Sequence, residues 1–360
     1  MFPGIKRPFC AAAALIALTA TTSLAADEKL TALPALRANI AETSVSGISA
    51  GAYMAGQFQI AHSEIVSGAA IIAGGPYGCA ESVYADMMLG PGAIFLNLSK
   101  AINGCMLNAL ALWGVPDPAN LARKAERLAA DQRIDPLSGL TSDRVYLFSG
   151  SEDRTVVEPI VAAAAKFYAE LGLKPEQIKF VSDVAAGHAF VTDDHGGACE
   201  KSTAPFVVDC DYDQAGEALT HIYGKLNPRA SEPAGSFIEF DQEPFTKDLR
   251  DHGLADRGIV YVPPTCASST VCRVHIAFHG CAQTRAATGD AFIRDTGFAR
   301  WADTNALIVL FPQVAGNPIN PQGCWDWWGY TGRDYLTRDA PQIRAVYRML
   351  ERLSAPRSAS

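Results

Sequence analysis

A serine between two glycines, Gly47-Ile48-Ser49-Ala50-Gly51, is the first place in this chain where nucleophilic chemistry could be done. The spacing suits a strand turning sharply into a helix: the glycines permit close backbone approach and the serine presents its hydroxyl on a strained turn. A serine attacks a carbonyl when a base takes its proton, an acid orients the base, and N–H donors receive the developing oxyanion. Asp153, in Ser151-Glu152-Asp153, and His188, in Gly187-His188, follow Ser49 in the order serine, acid, histidine. Glu152 and Asp143 compete for the acid role, and an aspartate opening a helix commonly serves only as an N-cap. Among the seven histidines, His195 in Asp193-Asp194-His195-Gly196-Gly197 is the main rival base, although its acidic neighbours fit a solvated loop. His62 falls on the helix after the serine, His275 within a buried-type strand, and His221 and His252 in polar settings. The N–H of Ala50, directly after the serine, and that of Cys281, after His279-Gly280, are the candidate oxyanion donors, each worth about 3 kcal/mol of barrier.

The elements that must hold these groups alternate along the chain. Glu42–Ser46 is β-branched and hydroxyl-rich and reads as the strand before the serine. Residues 52–62 carry Met54, Phe58 and Ala61 at helical spacing and read as the helix after it. Residues 68–75, 144–150 and 178–181 are further strand-like runs, with a helix over 157–171 between the last two. Residues 236–240, 258–262, 274–278 and 306–311 are strand-like runs after the histidine. The alternation predicts an α/β fold with a mostly parallel sheet covered by helices on both faces.

The order of these runs matters. An α/β-hydrolase places several strands ahead of its nucleophile, yet too few residues precede Ser49 to supply strands and parallel crossovers. The missing strands are expected after His188, and the third of them ends in His279-Gly280-Cys281, which has the look of an oxyanion loop. A circularly permuted α/β-hydrolase explains both facts, with residues 26–360 as one catalytic domain carrying an insertion over about 76–135.

Several motifs together give the chain a family resemblance. They are the serine motif with Tyr53-Met54-Ala55, the segment Ser151-Glu152-Asp153-Arg154-Thr155-Val156, Gly187-His188, His279-Gly280-Cys281, and Gly323-Cys324-Trp325-Asp326-Trp327-Trp328-Gly329-Tyr330. From about Val45 to Tyr330 the chain resembles the circularly permuted, single-domain poly(3-hydroxybutyrate) depolymerases. The resemblance implies hydrolysis of a short-side-chain polyester by a Ser49–His188–Asp153 triad, with no metal or organic cofactor. Ala52 departs from it, because many relatives place a second glycine after Gly51; the expected effect is on helix packing rather than chemistry. One or two of Trp325, Trp327 and Trp328 are expected to line the substrate cleft, to which a cysteine link to the His279-Gly280-Cys281 loop would bring them, with Tyr53 and His279 beside them and His279 also supporting that loop. Clustered aromatics are, however, more often core. If the segment is extended, Trp325 and Trp327 point one way and Trp328 the other. The residues leave two other functions open: a feruloyl- or acetyl-polysaccharide esterase with the same triad, and a non-enzymatic surface-binding protein on a hydrolase fold.

Compartment and partners follow from composition. Residues 1–25 read as a secretory signal, with Lys6 and Arg7, an apolar run over 11–20 and Ser23-Leu24-Ala25 at the cleavage point. Its removal takes Lys6 and Arg7 from the 30 basic residues and nothing from the 38 acidic ones, moving the net charge from −8 to −10. That balance disfavours nucleic acid and anionic membranes as partners, and no later run reads as a membrane span. Oligomeric state has no signature here.

Eight of the nine cysteines lie beyond the signal, an even number that reads as disulfides in an exported chain. Many pairings are open; short loops favour Cys79–Cys105, Cys199–Cys210, Cys266–Cys272 and Cys281–Cys324. A zinc site is the rival, but no Cys-x2-Cys pair occurs and the histidines lack ligand spacing around the cysteines.

Overall fold

Ten residues, Asn39–Ile48, form strand β1, whose last six positions are buried and end at Ser49. The structure is a computed structural model that describes residue 1 and residues 31–82, 91–107, 114–268 and 270–357. The signal over 1–25 lies, beyond Met1, outside the described residues. Helix α1 (Ala50–Ala61) follows the serine and is buried along its whole length. Strand β2 (Val66–Ile72), helices α2 (Pro91–Gly104) and α3 (Pro118–Ala130), strand β3 (Arg144–Phe148), helix α4 (Glu158–Glu170) and strand β4 (Ile178–Val181) complete the first half. The insertion expected over about 76–135 contains α2 and α3, and α3 starts where Asp117 caps the N–H groups of Ala119 and Asn120.

Strands β5 (Phe190–Thr192), β6 (Gly197–Ala198) and β7 (Val207–Asp209) form a separate small parallel sheet, followed by α5 (Gln214–Tyr223). None of the three is long enough to show an alternating pattern, so periodicity did not reveal them. Then come β8 (Ser236–Asp241), β9 (Arg257–Val262), β10 (Arg273–Phe278) and β11 (Leu307–Phe311), and a last helix over Pro341–Ser354.

The main sheet has eight strands in the order β4-β3-β2-β1-β10-β11-β9-β8. The pairings from β4 to β11 are parallel, while β9 and β8 run antiparallel at one edge. Strand β10, late in sequence, therefore lies directly against β1, with Ser46 opposite Ala277 and Gly47 opposite Phe278. This register brings the end of β10, and the His279-Gly280-Cys281 loop after it, beside the serine turn.

Strand alternation assigns the two faces. His275 packs on Phe298 of the helix Phe298–Thr304 and is bonded to Ser44, which takes a hydrogen bond from Tyr223 of α5. Phe278, an odd number of residues further along β10, packs instead on Phe58 of α1. Helices thus cover both faces, as a largely parallel sheet requires. Among the described residues no helix is long and apolar enough to cross a membrane.

Candidate active site

The serine turn is shaped by backbone crowding. Ser49 has φ +56° and ψ −122°, a conformation that side-chain-bearing residues rarely adopt, and its N–H is held by the Ile72 carbonyl at 2.9 Å. A Cβ on Gly47 would stand 2.1 Å from the Gly51 carbonyl oxygen, and one on Gly51 would stand 2.2 Å from the Phe278 oxygen. Both glycines are therefore obligatory for the turn and for the approach of β10. Ala52 is fully buried, and its methyl meets Gly74, so it bears on packing beneath the turn.

Asp153 stands beyond the end of β3, in the turn before α4. Its Oδ1 accepts the N–H groups of Thr155 at 2.7 Å and Val156 at 3.0 Å, while Oδ2 meets Nδ1 of His188 at 2.8 Å. The aspartate thus fills the capping role and the orienting role together. Because a carboxylate only accepts, Nδ1 carries the proton and Nε2 is left as the basic nitrogen. The His188 N–H is itself fixed by the Ser202 hydroxyl at 2.7 Å. Ser49 and His188 line one cavity of about 200 Å³, with Ile48, Met106 and Phe206 as its larger apolar walls.

The competing groups are engaged elsewhere. Asp143 accepts from Gln59 at 2.8 Å, and Glu152 pairs with Arg154 at the surface. His195 bonds the Asp194 carboxylate, which Arg300 also grips. His275 is sealed between the hydroxyls of Ser44 and Ser46, and burial lowers its pKa to about 3.

The loop after β10 forms the other side of the site. A Cβ on Gly280 would lie 3.5 Å from Cβ of Ser49, so this peptide passes directly over the serine. Neighbouring N–H groups are committed: Gly280 to Gln283 Oε1 at 2.8 Å, Ala282 to the Gln322 carbonyl at 2.7 Å, and Ala52 to the Ser49 carbonyl at 2.9 Å. Ala50 and Cys281, the two expected donors, flank this arrangement, and Cys281 lines the cavity.

The aromatic residues require a correction. None of Trp325, Trp327, Trp328, Tyr53 and His279 is among the described residues lining the cavity. Trp325 is fully buried against Phe278 and His279, and Trp327 stacks on Tyr53 with ring centroids 4.0 Å apart. Trp328 is 5% exposed and stands edge-on to Trp327. The segment is not extended, because Asp326 folds it: its carboxylate accepts the N–H groups of Trp328, Gly329, Tyr330 and Thr331 and the Thr331 hydroxyl. His279 does not face the cavity but supports the loop, as the sequence reading has it: it is buried behind the loop, where Nδ1–H donates to the Gly280 carbonyl at 2.8 Å and Nε2 accepts from the Val314 N–H. Burial lowers its pKa to about 4, which keeps it neutral in that role. Gln283 and Ser202 had no sequence signal, since they act on the backbone of Pro205, Phe206 and His188, brought near only by folding, whereas Asp326 acts on N–H groups two to five residues further along its own turn.

The cysteines pair as Cys79–Cys105, Cys199–Cys210, Cys266–Cys272 and Cys281–Cys324. The last bridge ties the loop over Ser49 to the tryptophan segment. Among the described residues no cluster of His, Cys, Asp and Glu could hold a metal ion.

Comparison with known proteins places this geometry in a family. The chain is 37% identical over 328 residues to a poly(3-hydroxybutyrate) depolymerase of Delftia acidovorans, covering 90% of this chain and 62% of that protein, so it spans less than two thirds of that relative's length. It is 35% identical over 341 residues to a polyhydroxybutyrate depolymerase of Talaromyces funiculosus, covering 89% of this chain and 92% of the relative. A PHB depolymerase from Penicillium funiculosum superposes with a TM-score of 0.78 at 33% identity, covering 90% of this chain and 99% of that one. A serine-to-alanine variant of a PHB depolymerase, complexed with R3HB trimer, gives 0.79 at the same identity and coverage. No family model matches the chain. With a relative matched along nearly its whole length and a shared mostly parallel sheet, the chain belongs to the poly(3-hydroxybutyrate) depolymerase family, on an α/β-hydrolase-type fold.

Proposed function

We propose that this protein is an exported serine esterase that hydrolyses poly(3-hydroxybutyrate) or its 3-hydroxybutyrate oligomers through an acyl-enzyme. Ser49 Oγ attacks the ester carbonyl as His188 Nε2 takes its proton, and Asp153 stabilises the imidazolium through Nδ1. The N–H groups of Ala50 and Cys281 receive the oxyanion. His188 then gives its proton to the departing hydroxyl, and a water activated by the same nitrogen releases the 3-hydroxyacyl group. The single observation that carries this reading is the 2.8 Å contact of Asp153 Oδ2 with His188 Nδ1, at a cavity that Ser49 shares.

Four disulfides suit an oxidising compartment and support export. Polymer would be held by an apolar rim: Phe95 and Ile102 on α2 are exposed, as are Leu107, next to cavity-lining Met106, and Ile319, near cavity-lining Gln322. The topology supports circular permutation within one domain over 26–360. Placing β8–β11 ahead of β1–β4 and renumbering converts the sheet to the order 1-2-4-3-5-6-7-8.

The test is turbidity loss of an amorphous poly(3-hydroxybutyrate) suspension with wild type and Ser49→Ala in parallel. Clearing by wild type alone is expected. Clearing by both removes Ser49 from its role, and cleavage of a short acyl ester without clearing moves the substrate to oligomers.

A further inference from the structure

Gln283 is 2% exposed and lines the cavity. Its side-chain amide is fully committed, and only one orientation satisfies its three partners. Oε1 accepts the Gly280 N–H at 2.8 Å, and Nε2 donates to the Pro205 and Phe206 carbonyls, each at 3.1 Å.

These partners belong to the two loops that meet at the serine. Gly280 opens the loop that passes over Ser49. Pro205 and Phe206 close the loop containing Ser202, whose hydroxyl fixes the His188 N–H, and the Phe206 N–H returns to the Thr203 carbonyl at 2.8 Å. One side chain therefore spans from the oxyanion side of the site to the base side. At Gly280 it works with His279: Gln283 holds the N–H and His279 holds the C=O. A peptide is planar and trans, so fixing the Gly280 carbonyl also fixes the opposed N–H of Cys281.

We propose that Gln283 is a positioning residue for the oxyanion hole, setting the distance and angle between the Cys281 N–H and His188. The inference rests on the esterase reading above. It makes no contact with reacting atoms part of its role; it keeps a preorganised donor from drifting, which is where electrostatic stabilisation of a transition state is most easily lost.

Two variants and one inhibitor test it on a soluble p-nitrophenyl ester. Gln283→Met keeps the length and removes all three hydrogen bonds; kcat is expected to fall about 10- to 100-fold while KM stays within about 3-fold. The Ki of phenylboronic acid, whose serine adduct mimics the tetrahedral intermediate, should rise in step with the loss of kcat. Gln283→Glu retains the acceptor for Gly280, and its protonated form donates to one carbonyl, but its carboxylate faces two carbonyl oxygens. Its kcat should therefore decline relative to wild type as pH rises through the titration of the introduced carboxyl. This comparison is made within one folded protein and decides the matter even if the methionine variant does not fold. Unchanged kcat in both variants, or a Glu variant whose pH profile follows wild type, overturns the inference and leaves the esterase reading standing. A wild type that cleaves no ester overturns both.

Discussion

Asp153 and His188 are joined by one carboxylate oxygen at 2.8 Å, while the other oxygen of the same carboxylate holds the N–H groups of Thr155 and Val156. The two duties are separable by an isosteric change. Asp153→Asn retains an oxygen for the turn but presents an amide that favours the wrong imidazole tautomer. We expect kcat to fall about 10³- to 10⁴-fold with little change in Tm. A loss below 10-fold would mean that the pair does not orient the base.

Asp143, a competitor for the acid role, should behave in the opposite way. Burial pushes its carboxyl from the ordinary 3.8 up to about 7. The folded state then keeps a proton that the unfolded chain has already lost, so stability is full below about pH 4, falls between about 4 and 7, and is level above. The fall is bounded by ~1.4 kcal/mol per pH unit. Asp143→Asn should flatten this part of the Tm-against-pH curve and leave kcat within about 3-fold of wild type. Equal slopes in the two proteins would refute the assignment.

The turn at Ser49 stores conformational energy, since φ +56° with ψ −122° is mainly glycine territory. Ser49→Gly and Ser49→Ala should both be inactive, yet the glycine variant should be more stable than the alanine variant by about 1 kcal/mol in urea unfolding. An alanine variant that is the more stable would show that the turn is relaxed.

Cys281–Cys324 encloses a sequence separation of 43 residues, for which loop entropy predicts a stabilisation of about 4 kcal/mol. Replacing both cysteines by alanine should lower stability by an amount of that order. The double variant should also lower kcat on a soluble ester, because the Gly280–Cys281 peptide loses its tether to the tryptophan segment. Loss of stability with intact kcat would limit the bridge to a structural role.

The sequence by itself determined the serine turn, the order of serine, acid and histidine, the strand-rich second half and the even cysteine count. These are local or ordinal features: glycine spacing dictates the turn at Ser49, and β-branched runs dictate strands wherever their partners lie. The tertiary structure alone decided which way side chains point. Trp325, Trp327 and Trp328 read as cleft residues because a cysteine link ties them to the loop over Ser49, but the Asp326 carboxylate gathers four backbone N–H groups and the rings pack inward. His279 reads as a support for the loop over Ser49, and it is a buried clamp on Gly280 rather than a substrate contact. Gln283 was invisible because its partners lie 78 and 77 residues away, at Pro205 and Phe206. Hydrogen bonds of that kind carry no period or motif, and they exist only once the sheet has brought β10 against β1.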